Sequence, residues 1–274
     1  MTKKYYNTKV IETETFIEIW FYIDHPVVYN HNNKDTQEKD NNIYDEFKDN
    51  DSKKDIKGSS YYEKLKRLQR HYENTRWDIA RLIDCNFDGR TKFLTLTFKE
   101  NIKDIDVSNT EFTNFIRRLN YNLYGTKKSV LKYIAVWEKQ KRGAIHYHII
   151  LFDIPFIKTK KIEEIWGNGF IKINKIDVDS KENRGRYISK YFSKSVDEKD
   201  YKKKSFFKSR NLKKPKVHKL TTDLDVNLND FAIIYNKEYT RFIPEKQVIA
   251  EDKELPSRKF KQSKVQYVKI RKEW

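Results

Sequence analysis

Two histidines sit one residue apart, His146-Tyr147-His148, inside the apolar run 145–152. Alternate side chains of an extended strand share a face, so both imidazoles point one way and Tyr147 the other. Two such rings on a rigid strand can give two nitrogens to one divalent ion. The pair alone serves equally well as two packed core or edge histidines. Glu138 adds a carboxylate. If residues 130–138 and 145–152 form an antiparallel hairpin with a five-residue turn, Gln140 to Ala144, then Glu138 falls opposite His146 and on the same face. A four- or six-residue turn would point Glu138 to the other face. Two imidazoles and one carboxylate, with positions left for water and phosphate oxygens, suit Mn²⁺ or Mg²⁺ better than a closed structural zinc.

A second group lies at Tyr187-Ile-Ser-Lys190-Tyr191-Phe-Ser-Lys194. On a helix Tyr187 and Tyr191 stack on one face, with Lys190 and Lys194 beside them. A tyrosine hydroxyl can attack a phosphodiester once its proton is removed and the departing charge is stabilised. A nearby ammonium favours the phenolate and binds phosphate oxygens. An amphipathic basic helix with two exposed tyrosines would show the same spacing. Thr95 and Thr97 form a third, weaker group, a hydroxyl face that could line a groove.

The elements that must position these groups are marked in the sequence. Residues 92–98 alternate, with Leu94, Leu96 and Phe98 on one side and the threonines on the other. Ser108-Asn-Thr-Glu111 has capping-box spacing, and Phe112, Phe115, Ile116, Leu119 and Leu123 follow at helical intervals up to Gly125. A helix is expected from about Ser60 to Asp84, a short one over 159–166, a strand over 170–176 and a helix over 184–195. The order implies an α+β fold: a central antiparallel sheet of about five strands with helices packed on it. Four segments are expected: an N-terminal strand or hairpin (1–29), a polar flexible insertion (30–58), the main domain with a leading basic helix (59–200), and a basic C-terminal extension (201–274).

Taken in order, these segments resemble the HUH endonuclease superfamily, specifically the two-tyrosine rolling-circle replication initiators of phages and plasmids. Phe93-Leu-Thr-Leu-Thr97 is similar to its first motif, His146-Tyr-His148 to its His-hydrophobic-His motif, and Tyr187 to Lys194 to its Tyr-x-x-Lys-Tyr-x-x-Lys helix. Trp137-Glu-Lys-Gln-Lys-Arg-Gly143 and Ile165-Trp-Gly-Asn-Gly-Phe170 also look like phage replication-associated proteins, and the resemblance covers roughly residues 75–215. It implies an RRM-like sandwich in which the tyrosine helix crosses the metal-bearing sheet. It implies nicking of single-stranded or hairpin origin DNA, a 5′-phosphotyrosine link, a free 3′-OH for host polymerase, and religation of the displaced strand. The implied roles are Tyr191 as first nucleophile, Tyr187 as second, Lys190 and Lys194 on phosphate, and Glu138 as acidic third ligand. No Gly-x-x-x-x-Gly-Lys-Ser/Thr loop is present, so unwinding is expected from a host helicase. Relaxases typically carry a third nearby His, and none follows His148 until His218. The rival from another class is a non-catalytic single-strand binder, which would form no covalent adduct.

Composition agrees with a nucleic-acid partner. Lys and Arg number 58 against 40 Asp and Glu, a formal charge of +18. Such a field attracts polyanions, although a chain rich in Lys, Asn, Ile and Tyr also reflects AT-rich coding. Thr95, Thr97, Lys139, Lys141 and Arg142 near the hairpin, and Lys203, Arg210, Lys213 and Lys214 in the basic segment, are the candidate DNA contacts; the last four could equally be solvated charge. The single cysteine, Cys85, excludes an intramolecular disulfide and a multi-cysteine zinc site. No apolar run is long enough to span a membrane, and the start lacks a signal-peptide pattern, so a cytoplasmic location is expected.

Overall fold

A computed structural model describes residues 4–29, 61–140, 142–175, 206–223, 228, 231–244 and 260–272. In chain order its elements are β1 (Lys4–Tyr6), β2 (Thr8–Glu12), β3 (Phe16–Tyr22), β4 (Val27–Tyr29), α1 (Tyr61–Asn86), β5 (Lys92–Thr97), α2 (Ile105–Tyr124), β6 (Lys132–Lys139), β7 (Ile145–Phe152), α3 (Thr159–Trp166), β8 (Ile171–Lys175), β9 (Phe206–Lys208), β10 (Lys216–Leu220), β11 (Ala232–Pro244) and β12 (Phe260–Arg271). The chain is α+β and divides into two compact units, Met1–Glu46 with Pro215–Trp274, and Phe47–Lys214.

In the first unit the strand order is β10-β2-β3-β12-β11, antiparallel throughout, beside a β1–β4 ribbon. Alternation along β3 sends Trp20 and Tyr22 to one face with Ile11, Val265 and Tyr6, and Phe21 to the other with Val268 and Ile270. Tyr22 faces Val265 across the β3–β12 pairing. Residues 1–29 and 201–274, read apart in the sequence, thus supply strands to one sheet. The insertion read at 30–58 lies outside the described residues.

The second unit has the order β8-β5-β7-β6-β9, also antiparallel. Period-two alternation gives this sheet two apolar faces. Leu94, Leu96, Tyr147, Ile149 and Trp137 meet α2 and α3 on one side, where Phe112 stacks on Tyr147 (centroids 4.5 Å apart, planes at 9°). Ile134, Val136, Ile150 and Phe152 meet Ile79, Leu82 and Ile83 of α1 on the other. The helix expected over 184–195 lies outside the described residues.

One local expectation is corrected. The cap of α2 is Asp104, whose carboxylate accepts from the Asp106 and Val107 amides at 2.8 and 3.2 Å. Ser108 is buried inside the helix and donates to the Ile105 carbonyl instead. Asp caps as well as Ser does and stands one turn earlier, so the helix starts there. Its C-terminal end is as expected: Gly125 adopts φ 64° and donates to the Tyr121 carbonyl, a left-handed cap that a side chain would strain.

Candidate metal centre

The β6–β7 hairpin closes through residues 140–144. Gln140 donates its amide to the Ala144 carbonyl (2.8 Å), and Gly143 donates to the Gln140 carbonyl (2.7 Å). The turn is therefore the five-residue one, and the register sets Glu138 directly opposite His146 and Val136 opposite His148. On the other side of β7, Thr97 stands opposite His146 and Thr95 opposite His148. Since opposed residues share a face, Glu138, His146, His148, Thr95 and Thr97 lie on one surface of the sheet. Tyr147 lies on the other, in the core.

The chemistry is concentrated on Glu138. Its Oε2 is 3.0 Å from His148 Nε2 and 3.5 Å from His146 Nε2. One ligand atom from each of the three residues falls within 4.8 Å of the others, a spacing a single cation could bridge. The remaining ring nitrogens are also engaged. His148 Nδ1 lies 3.4 Å from Thr95 Oγ1, and His146 Nδ1 lies 3.2 Å from the Gln140 amide nitrogen. Phe93 stacks on His148 (5.6 Å between centroids, planes at 22°). Outer contacts of this kind orient metal-binding imidazoles and select their tautomer. His148 is 8% exposed, whereas the side chains of His146 and Glu138 retain 16% and 18% of their accessible surface. The cluster thus opens toward solvent on its His146 side.

The threonine strand is held from beyond the hairpin. Trp166 Nε1 donates to the Thr97 carbonyl (3.1 Å), the Thr97 amide to the Phe170 carbonyl (2.9 Å), and the Lys99 amide to the Asn168 carbonyl (2.8 Å). Gly169, at φ 151°, passes so close to this strand that a Cβ there would overlap the Thr97 carbonyl oxygen and the Lys99 amide nitrogen. The Gly167-Asn-Gly169 turn therefore clamps β5 where its hydroxyls face the histidines.

The tyrosine nearest the histidines along the chain is not a nucleophile. Burial raises the Tyr147 hydroxyl far above its ordinary range, despite an opposing contribution from the Ser108 hydrogen bond. It donates to Asn109 Oδ1 at 2.8 Å and stays neutral in the core. Tyr187, Lys190, Tyr191 and Lys194 lie outside the described residues, as do Lys141 and Lys203.

Of the remaining predicted contacts, Lys139 alternates to the face opposite Glu138. Arg142 is exposed but turned inward, donating to Gln140 Oε1 (3.0 Å) and to the Phe98 carbonyl (3.1 Å). Arg210, Lys213 and Lys214 are exposed just after β9, where Asn86 at the end of α1 bonds both the amide and the carbonyl of Lys213. Sequence reasoning missed three residues. Phe93 was legible from its alternation with Thr95, and Gln140 from its place two residues past Glu138. Lys172, opposite Thr95 on β8 and therefore on the same face, required the β5–β8 pairing.

Residues 91–196 match the family model described as replication-associated protein ORF2. The chain is also 28% identical over 146 residues to the Phasyl DNA replicon protein arp of Escherichia coli, a match covering 44% of this chain and 49% of that protein. It thus spans about half the length of the curated relative it matches. No solved structure matches. The stretch similar to the replication-associated family runs from the start of β5 through β8, and so contains the whole Glu138, His146 and His148 cluster.

Proposed function

We propose that this protein initiates rolling-circle replication by nicking single-stranded or hairpin origin DNA through a tyrosine. The observation that carries the reading is the Glu138, His146 and His148 cluster on one sheet face, within the stretch similar to the replication-associated family. The donor set fits Mn²⁺ or Mg²⁺: two imidazoles that turn Nε2 toward a partly exposed carboxylate, with an open side. A divalent ion held there supplies polarisation of the scissile phosphate.

The rest is assigned to the chain's own residues. Tyr191 loses its proton and its oxygen attacks phosphorus, the bond to the 3′ oxygen breaks, and that oxygen is protonated to a 3′-OH. The 5′ phosphate stays on the tyrosine, so bond energy is kept and rejoining needs no nucleotide cofactor. Tyr187 serves the second transfer, Lys190 and Lys194 hold phosphate, and Thr95 and Thr97 line the groove. Host polymerase extends the 3′ end and a host helicase opens the duplex.

The test is incubation of the full chain with Mn²⁺ and a labelled single-stranded origin oligonucleotide, followed by a denaturing gel. A slow-migrating covalent band is expected, removed by EDTA and strongly reduced in Tyr191→Phe. A free 5′-phosphate product without adduct would mean a water nucleophile instead. Binding with neither product would make the protein a non-catalytic single-strand binder.

A further inference from the structure

Arg142 carries a charge suited to DNA, yet its guanidinium is engaged within the chain. Nε donates to Gln140 Oε1 and Nη2 to the Phe98 carbonyl. A guanidinium only donates, so the Gln140 atom facing it is the amide oxygen. The amide nitrogen is then the atom 3.2 Å from His146 Nδ1. That nitrogen only donates as well. His146 Nδ1 must therefore accept, and the ring proton sits on Nε2, toward Glu138 Oε2 at 3.5 Å. In this tautomer Nε2 has no lone pair to offer a cation.

We propose that Gln140 is a positioning residue that ties loading of a divalent ion on His146, His148 and Glu138 to release of Arg142; this rests on the metal reading above. For His146 Nε2 to present its lone pair, the neutral ring must carry its proton on Nδ1. An Nδ1–H facing the Gln140 amide nitrogen sets two donors against each other. Half a turn of the amide removes that conflict: Oε1 accepts from Nδ1–H and the amide nitrogen turns to Arg142. Two donors now meet on that side, and the Arg142 Nε hydrogen bond breaks. The ring's proton count does not change, since one proton leaves Nε2 and one arrives at Nδ1 through solvent.

The interlock belongs to one histidine only. His148 Nδ1 faces the Thr95 hydroxyl, which donates or accepts as required. Freed from Gln140, the exposed guanidinium keeps its Phe98 anchor and turns its remaining donors toward phosphate oxygens. The coupling is reciprocal: a phosphate that draws Arg142 away favours the ion-competent tautomer, and the ion favours the phosphate.

The test is nitrogen-15 NMR of the full chain labelled on histidine and arginine, titrated with Mg²⁺ and separately with Zn²⁺, both diamagnetic. Without ion, His146 should show a protonated Nε2 and a bare Nδ1. Saturating ion should reverse that pattern, and the Arg142 Nε–H should lose its protection from solvent exchange. In Gln140→Glu the carboxylate accepts from both neighbours, so the ion should move the histidine signals while Arg142 stays protected. A wild-type protein whose histidine signals move while Arg142 Nε–H does not would overturn the coupling alone. So would a metal-free His146 already protonated on Nδ1. Histidine signals unmoved by either ion would overturn the metal reading and the coupling with it.

Discussion

The protein holds two five-stranded antiparallel sheets that share a strand count and differ in chemistry. The unit Phe47–Lys214 carries 40 Lys and Arg against 22 Asp and Glu, whereas Met1–Glu46 with Pro215–Trp274 carries 18 of each. The whole formal charge of +18 belongs to one unit. Coding bias acting along the entire chain would have loaded both alike, so the asymmetry points to the partner of the charged unit. That unit also holds the His/Glu cluster and the similarity to the replication-associated family. The neutral sheet instead neutralises its charges internally, as with Lys272 on Glu12 at 2.6 Å and Lys269 near the buried Glu18. Sheet architecture does not by itself confer nucleic-acid chemistry; the side chains placed on it do.

The largest expected effect is on the charged sheet's cluster. His146→Ala with His148→Ala should abolish the Mn²⁺-dependent covalent adduct, read on the denaturing gel. An adduct surviving both changes would remove the chemical distinction between the sheets. Next comes its core: Phe112→Ala leaves a cavity against Tyr147 and should cost about 3–5 kcal/mol in urea unfolding followed by circular dichroism. Gly169→Ala should cost on the order of 1–3 kcal/mol through backbone strain, and should weaken Mn²⁺ binding by displacing the strand that bears Thr95.

Smaller effects sharpen the contrast. Arg210→Gln and Lys214→Gln should each flatten the salt dependence of single-strand binding by about 0.7 in log–log slope for every phosphate no longer neutralised. Lys219→Gln and Lys237→Gln, in the neutral unit, should leave it unchanged. If all four act alike, the charge partition has no functional meaning. The smallest effect concerns Glu12, whose carboxyl is held below its ordinary 4.5 chiefly by the Lys272 hydrogen bond. A lowered folded-state value means the pair stabilises fully above that ordinary range and is lost as pH falls through the folded value. Lys272→Met should therefore cost less than about 1 kcal/mol near neutrality, and the difference from wild type should vanish in acid titration of the unfolding midpoint.

The cluster was legible because its determinants are local. Alternation placed two imidazoles together, and a five-residue turn fixed the parity of Glu138 relative to His146. The strands β5 to β8 and helices α2 and α3 were legible for the same reason, from periodicity and from Gly125 and Gly167. The cap of α2 was misplaced because Ser108 and Asp104 both suit the role, and only the extent of the helix decides between them. The neutral sheet was not legible, because Tyr22 meets Val265 across nearly the whole chain and no local pattern encodes such a partner. Arg142 was legible as a cation and not as a hydrogen-bond donor to Gln140, which depends on side-chain geometry at the turn.

Glu138, His146 and His148 all come from one hairpin, so their convergence closes only a short loop and requires no other strand connection. Loop closure at that separation carries little entropic cost, and hairpins form among the early events of folding. The rest of the sheet depends on pairings much farther apart, such as β6 with β9, whose formation is intrinsically slower. A cation that prefers the paired register would stabilise the native hairpin over slipped alternatives by mass action. The same short segment that would hold the ion thus also forms a local folding unit, on which the order of assembly of this sheet can be measured with and without metal.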